Sequence, residues 1–421
     1  MMLNDKKSVW NCINRVYYSG LTTTSGGNIS SMDSEGNIYI TPSGIDKGSL
    51  FVEDIVTVDK DKNILGKHKP SMELPFHSNI YKEREDIRAI VHAHAPAVVA
   101  YATARRVPNS MIAPCYNRLL GKVGDSKYDL PGSLTLGDIV KAEFEKGYNA
   151  IMMHNHGATV GGKTLEEAFS KYEALDNLCN VIINAEQLGG VKAINVLSDY
   201  SKSLTPIVVK EEDMFTSEED KIRDSIAKFL SRSYTQKLVS NSYGTIFYKL
   251  DNGDILFNPD SVSRYQIKYH DIAKYSNGNV IGTSDIRCDY LDIALKVFDS
   301  VKEAKVCFIS MPNNAMGFAC SNTYFDSRLI PESYIMLKNA VQLPYNTTSE
   351  DIAKAMSTSK PLCLVDNECV ITIGKDLTKA FDRMEVTDFS CKSVIMAKSI
   401  ASITPINDEQ TREIDRTFNG W

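Results

Sequence analysis

Residues 154–173 read HNHGATVGGKTLEEAFSKYE, and residues 366–385 read DNECVITIGKDLTKAFDRME. Laid on one another at a shift of 212, they match Asn155, Gly162, Lys163, Leu165, Ala168, Phe169 and Glu173 to Asn367, Gly374, Lys375, Leu377, Ala380, Phe381 and Glu385. Each stretch runs from an apolar strand through glycine into a helix. Working outward, the correspondence continues toward the N-terminus at a shift of 217. Ser8, Arg15 and Tyr17 fall on Ser225, Arg232 and Tyr234, and Gly27, Gly36, Ile38 and Pro42 fall on Gly244, Gly253, Ile255 and Pro259. Asp54-Ile55 falls on Asp271-Ile272. A nearly constant shift across separated motifs is the mark of a duplicated unit. The drift between the two shifts implies a loop about five residues shorter in the second copy, from the two registers of the match. The copies are expected to be residues 1–212 and 213–421, meeting in the charged stretch KEEDMFTSEEDK. Nothing there reads as a long flexible linker, so the copies are expected to pack together.

Composition agrees with two folded domains. The chain has 421 residues, more than one ordinary core accommodates. It is 43% hydrophobic and 24% charged, as soluble globular proteins are. No apolar run approaches the roughly 20 residues that cross a bilayer, so no membrane partner is expected. The opening MMLNDKKSVWNCINRVYYSG lacks the apolar core and cleavage site of a secretory signal. The formal net charge is −6, and Lys and Arg are dispersed, which disfavours a nucleic-acid partner. Nine scattered cysteines without a CxxC pair point to reduced thiols and a cytoplasmic location.

Within the first copy, residues 5–18 read as an amphipathic helix, and NISSMDSEGNIYITP as two strands around a turn. A helix is expected at about 73–84 and a buried strand at AIVHAH, with the helix APAVVAYATA after it. AIMMHNHGATVGG reads as one more apolar strand ending in glycines. Thr164 is the expected N-cap of the long helix that follows, with Glu167 three residues on. Strands and helices mixed in this way favour a sheet covered by helices on both faces.

His92 and His94 stand two apart on a predicted strand, so both side chains leave one face. His156, just before Gly157, offers a third imidazole. Three neutral imidazoles and an open position make a catalytic zinc site. A single histidine is ordinarily a satisfied core side chain, but four of the seven histidines lie in these two short motifs. His154 competes with His156 as the third ligand, and spacing leaves both open. Glu73 begins a helix; it is either a surface carboxylate favoured by the helix dipole or a general base near the metal. The turns SGGN (Ser25–Asn28) and TPSG (Thr41–Gly44) offer amides and hydroxyls that can hold a phosphate, and Ser71 adds a hydroxyl.

GLTTTSGGNIS, ITPSG, KPSMELPFH, AIVHAHAP, KYDLPGS and MHNHG come in the order found in the class II aldolase/adducin family, which this chain resembles over about residues 5–207 and, in degraded form, beyond. The resemblance leans toward the sugar-phosphate aldolases. It implies a three-layer α/β/α fold with a central mixed or antiparallel sheet, here duplicated in tandem. It implies that His92, His94 and His156 hold zinc, that Glu73 transfers the proton and also touches the metal, and that Gly27, Asn28, Ser43, Gly44 and Ser71 bind the substrate phosphate. Tyr128 matches the tyrosine that protonates the departing aldehyde oxygen. The implied reaction is cleavage of a ketose 1-phosphate to dihydroxyacetone phosphate and an aldehyde. Two departures stand out. Met72 replaces a second phosphate-binding serine, and no tyrosine aligns with the one the family supplies from its C-terminal tail. Family alternatives are a pentose-phosphate 4-epimerase, or a dehydratase or decarboxylase of a phosphorylated sugar. A non-enzymatic scaffold of adducin type would not require the histidines. The family's ring assemblies imply a homo-oligomer, a dimer of tandem chains forming a pseudo-tetramer.

Projected through the repeat, His92, His94 and His156 fall on Ile309, Met311 and Glu368, Glu73 on Tyr290, and Asn28 on Thr245. The second copy is therefore expected to hold no metal, giving one zinc, or another divalent ion, per chain.

Overall fold

Val9, Cys12, Ile13 and Val16 recur at the spacing of one helical face, and all four are buried along helix α1 (Met2–Tyr18). The computed structural model describes residues 2–194, 202–203, 206–207, 215–282 and 286–418. The sequence boundary at 212 and 213 lies outside them. By packing, the chain forms two units. One comprises Met1–Met111 and Tyr116–Cys179; the other comprises Ile112–Cys115 and Asn180–Trp421.

The first unit is built on an eight-stranded sheet. Its strands are β1 (Asn28–Met32), β2 (Ile38–Ile40), β3 (Val56–Val58), β4 (Ile64–Leu65), β5 (Ala89–Ala93), β6 (Gly124–Ser126), β7 (Ala150–Met153) and β8 (Gly157–Gly162), in the order β4-β3-β2-β1-β5-β8-β7-β6. All neighbours are antiparallel except β6 and β7. Helices α2 (Leu74–Glu83) and α5 (Leu134–Glu145) pack together over one face. There Ile40, Val56, Phe76, Ile80, Ile90, Val140, Phe144 and Ile151 close a core, each side chain contributing about 1.5–3 kcal/mol by leaving water. Helices α1 and α3 (Pro96–Ala104) contact strands of the same sheet, and α6 (Leu165–Gln187) reaches α3 where the Tyr172 hydroxyl accepts the Ala95 N–H. The expected cap of α6 is present, with Glu167 N–H donating to Thr164 Oγ1 at 3.1 Å.

The second unit repeats the sheet at the same register. Thr245 of β11 (Thr245–Lys249) pairs with Ile309 of β16 (Val306–Ser310), as Asn28 pairs with His92. Ile309 pairs with Ile371 of β19 (Cys369–Gly374), as His92 pairs with Thr159. Strands β12 (Ile255–Phe257), β13 (Ala273–Ser276), β14 (Asn279–Ile281), β17 (Val341–Leu343) and β18 (Leu362–Val365) complete the equivalent set. A short β10 (Pro206–Ile207) joins the edge of this sheet, and β9 (Lys202–Ser203) pairs separately with β15 (Arg287–Cys288). Two copies of one α/β fold, each with its own mixed sheet, are thus joined in one chain.

One expectation fails. AIMMHNHGATVGG is two strands, β7 and β8, folded back on one another with Met153 opposite Gly157. Residues 154–156 form the turn, with Asn155 at φ 54°. The apolar run continues through both arms, so the reversal leaves little mark in the hydrophobic pattern.

Candidate metal centre

His92 is the penultimate residue of β5, held between Asn28 and Thr159 of the neighbouring strands, and His94 lies one residue beyond the strand's end, fixed by its N–H to the Leu21 carbonyl at 3.2 Å. His156 comes from the β7–β8 turn. Gly157 must follow it without a side chain, because a Cβ there would stand 2.5 Å from the Ala93 carbonyl oxygen. The turn also separates the two candidates for third ligand. His154 Nε2 pairs with Asp125 Oδ1 at 2.7 Å, while His156 joins His92 and His94.

The three imidazoles converge. His92 Nε2 and His94 Nε2 are 3.0 Å apart, and one nitrogen from each of the three rings lies within 4.8 Å of the others. Nitrogens at such separations share a proton or a cation. Three tetrahedral ligands at 2.0–2.1 Å from a zinc ion stand about 3.3 Å from one another. His92 Nδ1 faces the Ala158 carbonyl and Thr159 Oγ1, each at 3.0 Å. Its N–H donates to the carbonyl, which leaves the Nε2 lone pair for a metal. Burial, then the neighbouring imidazoles, holds His92 well below the ordinary histidine range. The same two causes bring His94 down to about 4.

Glu73 is buried at the start of α2. Its Oε2 is 3.3 Å from His92 Nε2 and its Oε1 is 3.5 Å from His156 Nε2. Oε1 accepts no hydrogen bond among the described residues. A buried carboxylate oxygen without a donor, beside three nitrogen lone pairs, fits a small divalent cation and excludes the reading of Glu73 as a surface residue.

A chain of hydrogen bonds behind Glu73 escapes sequence reasoning. Asn28 Nδ2 donates to Glu73 Oε2 at 2.6 Å, and His77 Nε2–H donates to Asn28 Oδ1 at 2.5 Å. His77 Nδ1 then accepts from Ser30 Oγ at 2.7 Å, and Ser30 accepts from the Tyr81 hydroxyl at 2.6 Å. Burial lowers His77 to about 3, which keeps it neutral and able to both donate and accept. Asn28, expected at a phosphate, gives one donor and one acceptor of its amide to this chain, which leaves one N–H and one lone pair for another partner. The available signal was His77 one helical turn after Glu73.

The other predicted residues gather around the same strands. Gly27 adopts φ +67°, and a Cβ would meet the His92 carbonyl at 2.6 Å. Ser43 N–H donates to the Lys69 carbonyl at 3.0 Å and Ser71 N–H to the Thr41 carbonyl at 3.1 Å. These bonds lay the TPSG turn, with Gly44, against the segment leading to Glu73. Tyr128 is 55% exposed and follows β6; among the described residues it makes no hydrogen bond or ring contact with the histidines.

In the second unit the equivalent positions are closed. Thr245, Tyr290, Ile309, Met311 and Glu368 are all buried. Asn367, at the equivalent of Asn155, has φ 58°. Its Nδ2 donates to the carbonyls of Ile112 and Lys192, each at 2.9 Å, and the Tyr243 hydroxyl donates to the Cys115 carbonyl. The segment Ile112–Cys115 thus lies against the turn that corresponds to the metal-site turn. Among the described residues, the grouping able to hold a metal is the one in the first unit.

An L-fuculose phosphate aldolase of Methanococcus maripaludis is 36% identical over 163 residues, 38% of this chain and 87% of that protein. A 5-deoxy-D-ribulose 1-phosphate aldolase of Bacillus thuringiensis serovar kurstaki is 31% identical over 192 residues, 42% of this chain and 83% of that protein. A 3-oxo-tetronate 4-phosphate decarboxylase of Haemophilus influenzae is 30% identical over 174 residues, 40% of this chain and 82% of that protein. Each relative is therefore about as long as one copy. The family described as Class II Aldolase and Adducin N-terminal domain matches residues 7–183 and again residues 224–395, and the chain belongs to it twice over.

Proposed function

We propose that the chain is a zinc-dependent sugar-phosphate aldolase that cleaves a ketose 1-phosphate to dihydroxyacetone phosphate and an aldehyde. The observation that carries this reading is the convergence of three imidazoles on a buried carboxylate oxygen that has no hydrogen-bond donor among the described residues. A divalent ion held by His92, His94 and His156 would supply Lewis acidity to a substrate carbonyl. Glu73, oriented by Asn28, moves the proton at the reacting carbon. Gly27, Asn28, Ser43, Gly44 and Ser71 hold the phosphate. Tyr128 returns a proton to the departing aldehyde oxygen. The second reading is decarboxylation of a phosphorylated sugar acid, favoured by the likeness to the 3-oxo-tetronate 4-phosphate decarboxylase.

In this reading the copies are residues 1–212 and 213–421, the second without chemistry of its own, and two tandem chains form a cytoplasmic pseudo-tetramer. The test is metal analysis of the purified chain together with assays for dihydroxyacetone phosphate and carbon dioxide release across a panel of ketose and sugar-acid phosphates. Zinc in the wild type, its loss in His94→Ala and triose release that falls with it are expected. Equal inactivity of both proteins, both free of metal, would sink the proposal, and carbon dioxide without triose would replace it by the second reading.

A further inference from the structure

Lys47 opens a 3-10 turn (Lys47–Ser49) between α1 and the sheet, and only 3% of it is exposed. Its backbone N–H donates to the Thr24 carbonyl at 3.0 Å, immediately before the SGGN turn. Its ammonium donates to the Pro42 carbonyl at 3.0 Å, immediately before Ser43. One residue therefore straps together the two glycine turns. Among the described residues no carboxylate lies within ion-pair distance of Nζ. The neighbouring Asp46 turns instead to the Gly48 N–H and the Ser49 hydroxyl, each at 2.9 Å. An ammonium has three protons to place; the Pro42 carbonyl takes one, and a buried cation without a counter-charge is costly. Burial lowers Lys47 to about 8, which leaves it charged at neutral pH. A second polar group beside the same turns is also orphaned. Thr22 Oγ1 is buried without a partner among the described residues, 3.1 Å from where a Cβ on Gly27 would stand.

We propose that Lys47 is the counter-charge of the substrate phosphate, held beneath the two turns so that the anion completes its hydrogen bonds. This rests on the reading of those turns as the phosphate site. Arginine would keep the charge; methionine would keep the stem and lose it.

The test is calorimetric titration of the full-length chain with inorganic phosphate, in wild type, Lys47→Met, Lys47→Arg and Ser43→Ala, with thermal unfolding of each. At least a tenfold weaker Kd is expected in Lys47→Met and a change under threefold in Lys47→Arg. Ser43→Ala should weaken binding several-fold. If Ser43→Ala weakens binding and Lys47→Met does not, the role of Lys47 is overturned while the phosphate site stands. If Lys47→Arg loses as much as Lys47→Met, packing rather than charge is responsible, and the proposal fails. No phosphate binding by wild type, or binding indifferent to Ser43, overturns the site and the proposal with it.

Discussion

Glu73 illustrates how much of a site one residue's surroundings decide. Its position at a helix start was legible, but its burial and its orientation were not. They depend on Asn28, Ser30, His77 and Tyr81, which come from β1 and α2 and meet only when the helix folds over the sheet. The pair His92 and His94 could be read from spacing on a strand. The choice between His154 and His156 could not, because it turns on the Asp125 carboxylate 29 residues away in sequence. Groups that orient a metal site's inner residues typically change affinity or activity by about 10–100-fold when removed. Asn28→Ala should therefore lower turnover by about that factor. Metal content at saturating zinc should change little, since the Asn28 side chain bonds Glu73 and His77 and none of the imidazoles of His92, His94 and His156. Elemental analysis and initial rates on one preparation check both halves; unchanged turnover would mean that Glu73 needs no such support.

At the scale of elements, the turn between β7 and β8 carries the most information. It was read as continuous strand, because apolar residues flank it on both sides and it contains no glycine or proline of its own. Its one local signal was asparagine, which tolerates the left-handed region better than most side chains. Asn155 and Asn367 both sit there, at φ 54° and 58°. The identity between copies at this position thus records a backbone requirement that holds where the neighbouring histidines are replaced. Asn155→Val should destabilise the first unit by about 1–2 kcal/mol, the cost of a left-handed conformation for a branched residue. Asn155→Gly should stay near wild type. Urea denaturation of the two variants checks the difference, and equal stability would contradict a conformational role. The short strands β3, β4 and β6, the last two at the sheet's edges, are not legible in the sequence, since two or three residues carry too little alternation to stand out.

At the scale of the whole molecule, the duplication was legible because glycines, caps and apolar positions repeat at fixed shifts, and the strand registers repeat with them. The packing units were not, since they cut α6 at Cys179 and move Ile112–Cys115 out of the first unit. One bound divalent ion per chain is expected by elemental analysis, and a value near two would contradict loss of the second site. Removing it with a chelator should lower thermal stability, by about 2.7 kcal/mol where free metal had stood at a hundred times its Kd. A melting temperature indifferent to chelation would argue against a metal bound by the folded state. The four residues Ile112–Cys115 carry a further consequence, for the order in which the protein can be made. Ile112 leaves the ribosome 255 residues before Asn367, whose Nδ2 donates to its carbonyl. At about 5–20 residues per second, these four residues wait roughly 13–50 s for their seat. A nascent chain released before Asn367 is made would leave the Ile112 carbonyl without that donor, an unpaired backbone group for chaperones to guard.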